Sequence, residues 1–163
     1  MLVVSNTSPL SNLAIVDQLH LLRLRYDRVI VPGRVKFELE ALTHATGKQR
    51  IIQAVSDGWL VVQSLADQTL STQFAQRVDP GEAEAIALAE QLKADKLIID
   101  DRIGRILARE RGLAVAGLLG ELLYAKRHGR IAAVGAVMDR LKVEARFFVR
   151  ADLRTLILRQ AGE

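Results

Sequence analysis

The chain has 163 residues, half of them apolar and 26% charged, with a formal net charge of +4. That length suits one compact domain, and that balance excludes global disorder, which needs low hydrophobicity and excess charge. The absence of cysteine excludes disulfides, thiolate metal sites and cysteine nucleophiles.

Met1-Leu2-Val3-Val4 runs straight into Ser5-Asn6 with no basic segment before it, so no signal peptide is expected. No apolar run approaches the roughly 20 residues that cross a bilayer, and a soluble cytoplasmic protein is expected. Leu2-Val3-Val4 predicts a buried parallel strand. Ser5-Asn6-Thr7-Ser8-Pro9 supplies cap chemistry for a helix carrying Leu10, Leu13, Ala14 and Val16, with Pro9 expected at its first position. A helix through Leu19 to Leu24 follows. Arg28 to Val31 predicts a second strand, stopped by Pro32. Helical spacing returns at Val35, Phe37, Leu39 and Leu42, and again at Ile51, Ile52 and Val55 before Gly58. Trp59 to Val62 predicts a third strand.

The alternation repeats in the second half. Asp79-Pro80-Gly81-Glu82 opens a long helix with Ile86, Leu88, Ala89 and Leu92 on it. Leu97-Ile98-Ile99 predicts a strand that ends in Asp100-Asp101. A basic helix from Arg102 to Arg111 is stopped by Gly112, and Leu113-Ala114-Val115 predicts the last strand. Helical stretches around Leu118 to His128, Ile131 to Val143 and Ala151 to Gln160 complete the pattern. Strands alternating with helices predict an α/β fold: a three-layer α/β/α sandwich around a central parallel sheet. Residues 1–163 are expected to be one domain, with the helices from about residue 117 onward as an extension.

Charge is unevenly placed. Residues 1–101 carry 10 Lys/Arg against 13 Asp/Glu, whereas residues 102–163 carry 13 against 6. An acidic portion beside a basic one suits a polyanion held next to a cation site, although helix surfaces alone also collect arginines. Aromatic residues make up only 4% of the chain, so base-stacking platforms are poorly supplied. No two of the three histidines (His20, His44, His128) stand within four residues of each other, which excludes a His-x-x-x-His zinc site.

In an open parallel sheet, ligands sit beyond the carboxyl ends of the strands. Asn6 follows the first predicted strand, and Asp100 and Asp101 follow the Leu97–Ile99 strand. Glu82 lies in the first turn of its helix, and Glu38 one turn into the helix after Pro32. Acids at such positions are costly unless solvated, paired or bound to metal. Oxygen ligands without His or Cys select Mg2+ or Mn2+ over zinc. Each residue also has a structural use. Glu82 and Asp79 have capping-box spacing. Asp101 can cap the helix after it, Glu38 can pair with Arg34 one turn earlier, and Asn6 and Ser8 are natural cap residues.

Together these pieces resemble a PIN domain (the PilT N-terminus nuclease fold), in the prokaryotic branch opening Asn/Asp-Thr-Ser-Pro-Leu and related to VapC-type toxins. The resemblance is carried by Val3 to Leu10, by Ile30-Val31-Pro32 through Val35 to Glu38-Leu39, by Asp79-Pro80-Gly81-Glu82-Ala83-Glu84-Ala85-Ile86, and by Ala94-Asp95-Lys96-Leu97-Ile98-Ile99-Asp100-Asp101-Arg102. It implies a Mg2+- or Mn2+-dependent ribonuclease in which Asn6, Glu38, Glu82 and Asp101 hold the metal, with Ser8 orienting a water or a ligand. Glu84 and Asp100 are reserves. Glu84 lies about 200° around the helix from Glu82, and Asp100 points to the other side of its strand from Asp101. An aspartate usually takes the first place, so Asn6 removes one formal charge. Arg102, Arg105 and Arg109, on the helix after Asp101, are placed to steer an RNA backbone without reading its sequence. The resemblance further implies a homodimer and a small antitoxin protein as partners, and no membrane. Two alternatives stay open: a catalytically weak RNA- or protein-binding module, and a Mg2+-dependent phosphatase or receiver domain. The latter lacks a separate catalytic lysine after another strand.

Overall fold

The computed structural model describes all residues from Met1 to Glu163. Five short strands form one sheet: β1 (Val3–Ser5), β2 (Val29–Val31), β3 (Leu60–Val62), β4 (Lys96–Ile98) and β5 (Val115–Ala116). They lie in the order β3-β2-β1-β4-β5, and every pairing is parallel. Central β1 pairs Val4 with Ile30 on one side and with Leu97 on the other. Val3, Val4, Val29, Val31, Leu97 and Ile98 are all but fully buried, as expected of strands covered on both faces.

Ten helices flank the sheet: α1 (Thr7–Ile15), α2 (His20–Tyr26), α3 (Gly33–Glu40), α4 (Ala45–Ser56), α5 (Thr69–Phe74), α6 (Pro80–Gln91), α7 (Arg102–Glu110), α8 (Leu118–Arg127), α9 (Val134–Glu144) and α10 (Ala151–Ala161). The result is the expected three-layer α/β/α sandwich. Helix α6 is buried almost all round, through Ala83, Ala85, Ile86, Ala87, Leu88 and Ala89. Its alanines let α3, α5 and α7 approach closely, with Glu82 and Glu84 in its first half and Glu90 and Gln91 at its end as the polar exceptions. Val134, Met138, Leu141 and Ile157 belong to the same contiguous core of 42 buried residues as the sheet. Helices α9 and α10 therefore share one core with the strands. No helix is long and apolar enough to cross a membrane.

Three local expectations are corrected. Pro9 is third in α1, because Asn6 takes the N-cap position and Thr7 the first. Proline fits there because no N–H in the first turn has an intrahelical acceptor. The last strand starts at Val115 instead of Leu113. Gly112 ends α7 at φ +77°, its N–H bonding Arg109 O at 2.9 Å while the Leu113 N–H bonds Ala108 O at 3.0 Å. This closing motif spends Leu113 on helix termination. Helix α5 was not expected, since Thr69 to Gln73 shows almost no apolar period. It is started by Asp67, whose carboxylate accepts the Thr69 N–H at 2.8 Å.

A buried acid unnoticed in the sequence joins α8 to α2. Glu121 is 3% exposed and accepts from Arg25 Nη1 at 2.8 Å and from the Tyr26 hydroxyl at 2.7 Å. Burial, with Glu121 beside it, pushes the Tyr26 phenol well above its ordinary range.

Candidate functional site

The strand order reverses at β1: the chain goes to β2 and β3 on one side and to β4 and β5 on the other. The crevice beyond the carboxyl ends of β1 and β4 is the switch point where such sheets place ligands. Asn6 extends β1 into this crevice, its N–H donating to Ile98 O at 2.9 Å. Helices α1 and α7 start there, from Asn6 and Asp101, and α6 starts beside them from Asp79.

Asn6 is 4% exposed. It occupies the N-cap position of α1, yet its side chain makes no capping hydrogen bond, and Oδ1 is buried with no partner. A buried orphaned amide oxygen costs about 1–3 kcal/mol. That cost is recovered when a donor or a cation meets it.

Glu82, in the first turn of α6, carries the largest perturbation in the crevice. Its carboxyl is pushed up to about 7, first by burial and then by the charges of Asp101, Asp79 and Glu38, tempered by the Asp79 backbone N–H. Four acids from three chain segments therefore share one field. The close packing is kept by glycine. A Cβ at Gly81 would fall 2.6 Å from Glu38 Oε1, and one at Gly104 would stand 2.6 Å from Ile99 Cδ1 and 3.5 Å from Glu82 Oε2. Glu38 accepts from the Thr7 hydroxyl and leans on Arg34 Nε at 3.4 Å. Asp101 Oδ2 accepts the Gly104 N–H at 2.8 Å, capping α7 as its position predicts.

The other expected residues divide. Ser8 Oγ accepts from Asn12 Nδ2 at 3.4 Å, within α1. Glu84 faces away from Glu82 and takes the Arg34 backbone N–H at 3.0 Å, satisfying the start of α3. Asp100 turns toward α8, where Oδ1 accepts the Leu118 N–H at 2.7 Å and Oδ2 is buried without a partner. Its carboxyl is raised to about 6 by burial, with Leu118 and Arg105 opposing. Arg102 and Arg109 are exposed, whereas Arg105 folds inward and donates to Ile99 O at 3.0 Å. Thr7 and Asp79 were missed as site residues, although both lie inside motifs already singled out.

A crevice lined by oxygen donors alone, with an orphaned amide oxygen and mutually repelling carboxyls, fits a hard divalent cation. No three carboxylates converge on one point as placed, because Glu38 and Asp101 are each drawn to a protein donor. Water can bridge such gaps, since Mg2+ retains several of its own waters when bound.

No curated protein sequence matches the chain. A family model described as a PIN domain matches residues 2–163. With the match running over all but the first residue, the chain belongs to the PIN-domain family, whose members are generally nucleases that use divalent metals.

Proposed function

We propose that this PIN domain hydrolyses RNA phosphodiester bonds with Mg2+ or Mn2+ held by Asn6, Glu38, Glu82 and Asp101, directly or through water. The observation that carries the reading is the orphaned Asn6 Oδ1 in the same crevice as a Glu82 carboxyl raised first by burial and then by three neighbouring acids. A cation bound there would polarise the phosphodiester and make a water more acidic. Asn6 would contribute a neutral ligand from a backbone position fixed by the β1–β4 ladder. Glu82, Glu38 and Asp101 would supply the negative charge, and Thr7 would hold the Glu38 carboxylate in place. Ser8, beside Asn6, is kept as the hydroxyl that orients a water. Arg102 and Arg109 would meet the RNA backbone, while Arg105 braces the Ile99 carbonyl just ahead of Asp101.

Asp101→Asn is the deciding variant, because asparagine caps a helix about as well as aspartate. The fold should survive while Mn2+-dependent cleavage of a single-stranded RNA falls by two orders of magnitude or more. Unchanged cleavage removes Asp101 from the site. The finer reading makes the protein a cytoplasmic, homodimeric toxin restrained by a small antitoxin protein. Its support is the resemblance of the Asn6-to-Leu10 opening to a prokaryotic PIN branch that is more distantly related to VapC-type toxins. It predicts growth arrest on expression, relieved by Glu82→Gln.

One observation favours a second reading, a catalytically weak RNA- or protein-binding module: Asn6 leaves the crevice with one charge fewer than an aspartate would. RNA binding without cleavage at millimolar Mn2+ would select it.

A further inference from the structure

Of the seven aromatic side chains, only Phe37 and Phe148 are largely exposed, at 61% and 71%. A single exposed apolar residue is ordinary; Phe37 differs in what it touches. One turn before it on α3, Arg34 lies over its ring, with Cζ 5.2 Å from the centroid. The same guanidinium reaches Glu38 Oε1 from Nε at 3.4 Å. One cation therefore bridges an acid of the crevice and an exposed aromatic ring, which puts the ring on the rim of the proposed catalytic centre. Phe148 instead lies by α9 and α10, which hold no crevice acid.

We infer that Phe37 and Arg34 form a stacking platform for the unpaired nucleobase next to the cleaved phosphodiester. The inference rests on the RNA-cleaving reading above. A phosphodiester held at the crevice carries a nucleoside on each side, so one base lies within a nucleotide of the cut. Phe37 offers that base a face without hydrogen-bonding groups. Stacking of this kind accepts any base and is lost when the base is paired inside a duplex. Arg34 adds a cation to the same surface, complementary to the flanking phosphate.

The test uses a single-stranded oligoribonucleotide with one 2-aminopurine, whose fluorescence falls on stacking, and the same strand in a duplex. Binding is followed in EDTA and cleavage in Mn2+. The wild-type chain should quench the single strand and bind the duplex more weakly. Phe37→Leu should lose most of the quench and bind about tenfold more weakly, while Phe37→Trp keeps both and Phe148→Leu changes neither. Full quench by Phe37→Leu, equal binding of the duplex, or loss at Phe148 instead would overturn the inference. So would a Phe37→Leu effect confined to self-association in sedimentation, which would make the ring a protein contact. The quench is read without metal, so failure to cleave any RNA would sink the nuclease reading through a separate measurement.

Discussion

Glu82 shows how a single side chain sets both chemistry and stability. Its carboxyl titrates near 7 in the folded chain against an ordinary 4.5, chiefly through burial and then through Asp101, Asp79 and Glu38. The native state thus binds the proton more tightly than the unfolded state does. Below about 4.5 this makes no difference. Between there and about 7 stability falls as pH rises, and above that the loss is complete. In EDTA, urea unfolding followed from pH 5 to 8 should show this decline, and Glu82→Gln should flatten it and raise Tm at pH 8. A Glu82→Gln profile superimposed on the wild type would mean that the carboxyl is not strained. Gly81 gives a complementary test. Alanine there removes freedom from the unfolded chain but collides with the Glu38 carboxylate. Because that carboxylate is the end of a flexible side chain, it should yield instead of the fold. Gly81→Ala should therefore melt no lower than wild type while Mn2+-dependent cleavage drops at least tenfold.

At the scale of the elements, Asn6, Glu82 and Asp101 are delivered by a strand end or the start of a helix, whereas Glu38 comes from the second half of α3. Asp101 is the clearest case because one carboxylate serves two purposes. Asp101→Ala should lose about 1 kcal/mol of stability with the α7 cap, whereas Asp101→Asn should lose little. Both should abolish cleavage, and thermal melts read beside activity separate the two roles. Much of this was legible in the sequence. Asp79-Pro80 announces α6 and its Glu82, Gly112 ends α7, and Asp100-Asp101 fall where a strand stops. What stayed hidden depended on neighbours distant in the chain. Glu84 is claimed by the start of α3, 50 positions away. Arg105 is drawn to the Ile99 carbonyl, so a helix read as three free arginines presents two. The orphaned state of Asn6 Oδ1 was equally invisible, since an asparagine before Thr-Ser-Pro reads as a satisfied cap until its partners are known. Helix α5 escaped because one short polar turn has no period to detect.

For the molecule as a whole, the cation should act as a stabilising ligand. At one hundred times its dissociation constant, Mn2+ would contribute about 2.7 kcal/mol, which for a chain of this size raises Tm by roughly 5–10 °C. Asn6→Asp should start lower in EDTA, with another acid beside Glu82, and gain more on adding Mn2+; Glu82→Ala should gain almost nothing. Differential scanning fluorimetry reads all three. The central ladder has one more implication. Val4 meets Leu97 across more than ninety residues of chain, and that pairing brings Asn6 beside the end of β4. Contacts of such long range close late in folding. A chain ending before β4 owns Asn6, Glu38 and Glu82 but lacks the strand that sets Asn6 in place and the Asp101 that follows it, so the crevice should assemble only after synthesis has passed Asp101.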